Sequence, residues 1–258
     1  MISFTEADLF RFLAGFLWPL ARVAALVGVA PIFGTLGVPR RVKVMLAIGV
    51  TIAVAPMVGP VPDVDPWSAA GLAVLLQQML IGTAMGLVMR IVFTIVDVAG
   101  ELGGLQMGLG FATFFDPQHG VNTQVVTQFL GLLVALVFLA INGHLMMLSA
   151  LAESFRLLPI GAAVSASAWL SLVDWGGTIF ATGLMLALPV IAALLMTNVA
   201  LGILTRAAPQ LNLFAVGFPV TILVGWVVLG LSLPMVAPLF MQAFDEGLRM
   251  MLTPLVRP

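Results

Sequence analysis

Two acidic residues stand inside a long apolar part of the chain, where a carboxylate can take part in transport chemistry. Asp97 and Glu101 are spaced i and i+4, so a helix would place both carboxylates on one face. Carboxylates are costly inside a membrane, and those that occur there often belong to ion or proton pathways. The sequence therefore predicts a buried acidic pair and, as one hypothesis, a polytopic solute or proton transporter that uses both residues.

A glycine-rich segment with large apolar side chains surrounds and follows these carboxylates. Its glycines are Gly100, Gly103, Gly104, Gly108, Gly110 and Gly120, and its large apolar residues are Met107, Phe111, Phe114 and Phe115. Each glycine weakens a helix by ~1 kcal/mol relative to alanine, so we expect no membrane helix over residues 97–127. A mobile backbone that carries Met and Phe can close a narrow pore by excluding water. The alternative is a re-entrant hairpin that packs its aromatic side chains into a helix bundle.

Residue patterns that would support catalysis or metal binding are largely missing. The chain has no cysteine, and its two histidines, His119 and His144, do not form an HExxH pattern. A serine-hydrolase elbow of the GxSxG type does not occur either. We therefore expect a protein that is not an enzyme and that holds no metal and no cofactor.

The composition is that of a membrane protein. Hydrophobic residues make up 62% of the 258 residues and charged residues only 8%, against about 45–50% and about 25% in an ordinary soluble domain. The mean hydropathy is +1.19. A net charge of −1 leaves no basic patch that could bind a nucleic acid. These values exclude a soluble enzyme and predict a surface that contacts membrane lipid or other apolar protein.

Six stretches are long enough, or nearly so, to span a bilayer as helices, which takes ~20 apolar residues. They are Phe12–Val38, Val44–Gly59, Trp67–Val96, Val121–Leu151, Trp169–Leu204 and Leu213–Phe244. Prolines occur inside or near the ends of most of them, and a proline within a helix removes a backbone hydrogen bond. Gly82 and Gly86 form a small-xxx-small spacing that permits close approach of two helices. We predict an all-α protein of about six long, kinked apolar helices in a single domain over residues 1–258.

The break between the fifth and sixth stretches carries the most specific motif of the chain. Residues 202–219 read GILTRAAPQLNLFAVGFP. This segment resembles the strongest motif of the FliR family, the flagellar type III export-gate proteins, and virulence-system relatives share it. The matching residues include Arg206, Pro209, Gln210, Asn212 and Pro219. Further matches are residues 30–33 with 38–43, the stretch from Gly100 to Pro117, and residues 142–144.

The resemblance implies a subunit of the export gate in the flagellar basal body, at the bacterial inner membrane. Family members assemble with FliP and FliQ into a helical core, work beside FlhB and FlhA, and pass unfolded flagellar proteins towards the growing axial structure. In such an assembly the apolar helices would be covered by sister subunits.

The resemblance also implies a role for the glycine-rich segment. The loop inside the closed gate of the family corresponds here to residues near 106–122. Met107, Phe111, Phe114 and Phe115 are therefore expected to plug the channel, and Gly103, Gly104, Gly108, Gly110 and Gly120 to give the loop its flexibility. Three hypotheses follow: a conduit subunit with a plug, a transporter that uses the acidic pair, and an assembly scaffold whose loop does not contact the lumen.

Overall fold

The computed structural model describes residues 6–35, 37–110, 125–210 and 213–256, most of which are helical. The helices are α1 (Glu6–Val29), α2 (Arg40–Val54), α3 (Ala69–Gln106), α4 (Val125–Ala140), α5 (Gly143–Leu157), α6 (Ala166–Gly176), α7 (Thr178–Ala207) and α8 (Leu213–Val256). A short 3₁₀ turn, Ala55–Met57, follows α2. No strand occurs within the described ranges. The prediction of an all-α fold is confirmed.

Three helical stretches are long and apolar enough to cross a membrane: Ala69–Gln106, Ala166–Ala207 and Ala215–Thr253. A fourth is obtained if α4 and α5, which are separated by a break of residues 141 and 142, are counted as one span. The break includes Asn142, whose φ of 57° lies in the left-handed region, and asparagine adopts that conformation more readily than most residues. The structure therefore divides the six predicted stretches differently, with a broken fourth stretch and with the first and second helices ending before the predicted bounds.

Prolines lie just beyond the ends of the first two apolar helices. Pro31 follows the end of α1, and Pro56 lies in the 3₁₀ turn after α2, as expected of a residue that cannot donate a helical hydrogen bond. Helices also continue through prolines, among them Pro19 in α1, Pro189 in α7, and Pro219, Pro234 and Pro238 in α8. The carbonyl groups freed at these positions need donors from protein or water, because lipid offers none.

The chain divides into two compact units. Unit 1 comprises residues 1–91, 141–176 and 244–258. Unit 2 comprises residues 92–140 and 177–243. The prediction of a single domain over the whole chain stays a prediction.

In unit 1, α1 packs closely against the first half of α3 at two glycines. A Cβ atom built on Gly82 would collide with the backbone carbonyl oxygen of Arg22 and would lie 3.0 Å from the Cβ of Ala25. A Cβ on Gly86 would lie 3.0 Å from the carbonyl oxygen of Leu26. The two glycines therefore allow the backbones of α1 and α3 to approach, as the small-xxx-small spacing predicted.

In unit 2, aromatic rings form part of the core. The ring of Phe93 stands edge-on to those of Phe138 and Phe240, with both centroid distances 5.4 Å. Phe138 and Phe240 are almost fully buried. Such edge-to-face pairs contribute about 0.5–1.5 kcal/mol beyond the burial of their area, so they help to define how α3, α4 and α8 pack within this unit.

Two of the long helical stretches are largely exposed, and we call them the bare helices. In the most apolar window of Ala166–Ala207, and likewise of Ala215–Thr253, only 22% of the residues are buried. Large side chains such as Phe180, Met196 and Leu231 are more than 70% exposed. Exposed apolar surface on this scale marks a contact with lipid or with other protein chains.

Candidate functional site

The end of α3 carries both predicted carboxylates and the first glycines of the glycine-rich segment. The prediction that no membrane helix continues beyond Val96 is wrong, because α3 extends to Gln106. Gly103 and Gly104 consequently lie inside a helix, and both are buried.

Packing against neighbouring helices explains why α3 tolerates these glycines. A Cβ atom on Gly100 would lie 2.6 Å from the Cα of Thr127 in α4. A Cβ on Gly103 would lie 3.7 Å from a methyl carbon of Val190 in α7. The glycine at position 100 thus permits backbone contact with α4, and this tertiary packing outweighs the low helix propensity of glycine.

The two carboxylates have different surroundings. Asp97 is half-buried, and its Oδ1 would lie 3.7 Å from a Cβ atom built on Gly131 of α4. Glu101 is exposed on unit 2. Both carboxylates would be buried together only if another molecule covered Glu101. The buried acidic pair therefore stays a prediction.

A glycine cap ends α3. The N–H of Leu109 donates to the carbonyl oxygen of Gly104, and that of Gly108 to the carbonyl oxygen of Leu105, both at 3.0 Å. Gly108 has a φ of +85°, in the left-handed region. This pair of hydrogen bonds around a left-handed glycine is the Schellman motif, which satisfies the last carbonyl groups of a helix. The chain is therefore turned at Gly108, immediately before the residues predicted to form the plug.

Met107, at the turn itself, lies inside unit 2 and has no exposed surface. Its carbonyl oxygen accepts a hydrogen bond from the hydroxyl group of Thr221 in α8, at 3.2 Å. The sequence analysis expected this side chain at the lumen of an assembled gate, and that assignment stays a prediction. Within unit 2 the side chain lies against α8.

The other predicted plug residues, Phe111, Phe114, Phe115 and Gly120, lie outside the described residues. Gly110 is described and is partly exposed. The assignment of these residues to a plug stays a prediction.

The residues of the family motif lie at the end of α7 and in α8. Arg206, Pro209 and Gln210 are exposed. Pro219 is also exposed, inside α8, whereas Asn212 lies outside the described residues. An exposed arginine at the last turn of α7 interacts favourably with the negative end of the helix, and the described contacts give these residues no further role within the chain.

Sequence analysis missed a polar cluster at the centre of unit 1. Arg22 in α1 is completely buried. Its Nε donates to Oε1 of Gln78 at 2.8 Å, its Nη1 to the carbonyl and hydroxyl oxygens of Ser154 at 3.0 and 3.1 Å, and its Nη2 to the carbonyl oxygen of Leu158 at 3.0 Å. The guanidinium group also lies 4.2 Å from the centre of the Phe155 ring.

Neutral acceptors alone compensate this buried cation among its described contacts. Two of the acceptors, the carbonyl groups of Ser154 and Leu158, belong to the carboxyl end of α5, which attracts positive charge. Beside this cluster, Gln77 donates to the carbonyl oxygen of Ala162 at 2.6 Å. A single arginine within an apolar stretch is the signal for such a cluster, because a charge in that position requires buried partners.

Comparison with known proteins extends these observations to the whole chain. The sequence model of bacterial export proteins, family 1, matches residues 13–247. The chain belongs to this family. The match to bacterial export proteins, family 1, includes residues of both units and every motif on which the resemblance to the FliR family rests.

Individual relatives agree with this assignment. The flagellar biosynthetic protein FliR of Pectobacterium carotovorum subsp. carotovorum is 48% identical over 250 residues, which cover 95% of each chain. FliR of Escherichia coli (strain K12) is 44% identical over 247 residues, covering 95% of this chain and 94% of the relative. FliR of Aquifex aeolicus (strain VF5) is 29% identical over 240 residues, covering 92% of each chain. The resemblance to the FliR family is confirmed.

Proposed function

We propose that this chain is the FliR-type subunit of a flagellar type III protein export gate, and that it helps to build and seal the channel. The observation that carries the proposal is the 48% and 44% identity to flagellar FliR proteins over 95% of this chain. Family and relatives are named for export and flagellar biosynthesis, which supports a component of the export apparatus and not an enzyme. The same comparisons give the alternative of a solute or proton transporter no support.

The partners that follow from this function are FliP-like and FliQ-like subunits, together with FlhB and FlhA, in the basal body at the bacterial inner membrane. The cargo is unfolded flagellar protein. The largely bare helices Ala166–Ala207 and Ala215–Thr253 support an assembled state, because sister subunits would cover their apolar surface. The remaining apolar surface would contact membrane lipid.

Within the gate, we assign the plug to Phe111, Phe114 and Phe115. Apolar rings that meet in a narrow channel exclude water, and a channel without continuous water does not conduct ions. Met107 is fully buried in unit 2, which supports a role as the anchor of the plug loop instead of a role in the lumen.

The function is tested by replacing Phe111, Phe114 and Phe115 together with alanine in cells that also produce the partner subunits. We expect the complex to assemble and the membrane to become leaky to ions, because three methyl groups cannot keep the channel dry. Uptake of a small dye that does not normally enter cells measures the leak. Native gel electrophoresis measures assembly.

The matched control replaces Trp67, an exposed aromatic residue that precedes α3 and lies outside the bare helices, with alanine, and it should leave the leak unchanged. An assembled triple variant that is as tight as the unmodified protein would contradict the plug. It would favour the scaffold hypothesis, in which the loop does not contact the lumen.

A further inference from the structure

The carboxyl end of α3 is held against one face of α8, inside unit 2. We propose that Phe218, Thr221 and Gly225 form a seat for Met107 and Gly108, and that this seat positions the start of the plug loop. The inference rests on the proposed function, since it assigns positioning residues to the plug described there.

The closest contact joins the side chain of Met107 to the backbone of α8. A Cβ atom built on Gly225 would lie 2.5 Å from Cγ, 2.6 Å from Cε and 2.9 Å from Sδ of Met107. The whole methionine side chain therefore lies across the position where any other residue would carry its Cβ. Only glycine at position 225 leaves room for it.

Two further close approaches lie next to this methionine. The hydroxyl group of Thr221 shares its hydrogen between two carbonyl oxygens, that of Met107 at 3.2 Å and that of Phe218 in its own helix at 3.0 Å. A Cβ atom on Gly108 would lie 3.3 Å from the ring of Phe218. Phe218, Thr221 and Gly225 are spaced i, i+3 and i+7, so they share one face of α8.

The requirements of helix formation explain two of the contacts in the seat. The last carbonyl groups of a helix need donors, and in an apolar environment water does not supply them. Thr221 supplies one at Met107. A glycine in the interior of a helix is unfavourable for that helix. The close approach of Met107 explains why a glycine nevertheless occurs at position 225 of α8.

The seat determines where the plug loop begins. Met107 is the residue directly after the last residue of α3, and the left-handed Gly108 sets the direction of the chain that follows. Met107 and its carbonyl group both contact α8, so the described end of the chain before the plug loop is held in unit 2. Phe218, Thr221 and Gly225 thus act on the plug through Met107 and Gly108.

The test compares two glycines of the same helix. Gly225→Val should displace Met107 and raise the leak towards the level of the triple phenylalanine variant. Gly230→Val is the matched control, because Gly230 is exposed and a Cβ atom there meets nothing within 4 Å. Both changes put the same residue into α8, so a difference in leak between variants whose complexes assemble normally, as native gel electrophoresis shows, reports the contact with Met107.

A second measurement follows the seat without using the leak. The chain has no cysteine, so Met107→Cys introduces a single thiol that a maleimide can label. We expect slow labelling in the otherwise unchanged chain. Combined with Gly225→Val, labelling should become faster by about tenfold or more, the factor that corresponds to ~1.4 kcal/mol. Combined with Gly230→Val, it should stay slow.

If Gly225→Val does not accumulate, two milder changes replace it. Gly225→Ala should leak less than the valine variant would, and the addition of Met107→Ala should reduce that leak again, because a smaller side chain leaves room for the new methyl group. Thr221→Val, which keeps the shape but loses the hydroxyl group, should raise labelling of the thiol at position 107.

The outcomes separate the seat from the proposed function. If the triple phenylalanine variant leaks while the assembled Gly225 variants are as tight as Gly230→Val, the seat is overturned and the function stands. Fast labelling of Met107→Cys in the otherwise unchanged chain also overturns the seat. If the assembled triple variant does not leak, the plug itself is overturned, and with it the function of the seat.

Discussion

Replacing Arg22 with methionine is expected to abolish most of the folded, assembled protein. The change would leave Oε1 of Gln78 and the carbonyl oxygen of Leu158 without the donor that now serves them in the interior of unit 1, whereas the carbonyl oxygen of Ser154 keeps the N–H of Leu158. Each buried acceptor without a partner costs about 1–3 kcal/mol. The sum for two acceptors is about 2–6 kcal/mol, a large part of the about 5–15 kcal/mol by which a typical protein is stable.

Removal of a buried charge also recovers its cost of desolvation, and this opposing effect decides how the experiment is designed. Arg22→Lys keeps the charge but offers a single nitrogen, which cannot serve acceptors on α3 and α5 together. We expect this variant to be destabilised as well. A lysine variant as stable as the unmodified protein would show that the positive charge stabilises the cluster, and not the several hydrogen-bond donors of the guanidinium group.

The measurement is the thermal unfolding temperature and the yield of the purified complex, with Arg41→Met as the matched control. Arg41 is exposed in α2, so its loss should change either quantity little. A double-mutant cycle with Gln78→Leu adds a second check, because paired removal of donor and acceptor should cost less than the sum of the single changes. Equal stability of Arg22→Met and Arg41→Met would contradict the role given to the cluster.

Replacing Gly82 with valine is expected to separate α1 from α3. The new Cβ atom would collide with the carbonyl oxygen of Arg22 and lie 2.9 Å from its carbonyl carbon. These are backbone atoms, which cannot move aside without displacing α1. Overpacking usually costs about 1–3 kcal/mol and sometimes more, and we expect the upper end here because no flexible side chain can absorb the clash.

Gly28→Val is the control for this change. Gly28 lies in the last turn of α1 and is exposed, and a Cβ atom there meets nothing within 4 Å, so its variant puts the same residue into a helix without a collision. Thermal unfolding should show a large loss for Gly82→Val and a small one for Gly28→Val. Similar losses in the two variants would mean that helix propensity, and not the contact between α1 and α3, dominates.

The sequence was most informative where one local pattern determines the structure. The spacing of Gly82 and Gly86 predicted a close helix contact, which α1 provides. The six long apolar stretches predicted an all-α fold. In both cases neighbouring residues along the chain carry the whole signal.

The sequence was less informative where the partner is distant along the chain. Gly100 and Gly103 read as helix breakers, because nothing near them shows that Thr127 and Val190 pack against them. Arg22 read as an interruption of an apolar stretch, because its acceptors are supplied by α3, α5 and the residue after α5. The contact of Met107 with Gly225 also could not be predicted, since it joins helices that are far apart in sequence.

In the proposed assembly, the exposed apolar surfaces of α7 and α8 have a consequence for how this chain recognises its neighbours. Lipid tails are as apolar as leucine side chains, so exchange of lipid for a neighbouring helix gains little from the hydrophobic effect. Selection among neighbours then depends on shape and on the few polar groups present, such as the exposed Asn198 between Met196 and Val199. An apolar surface of this kind supplies the area for association. A few amide, hydroxyl and carboxyl groups then determine which neighbouring helix is selected.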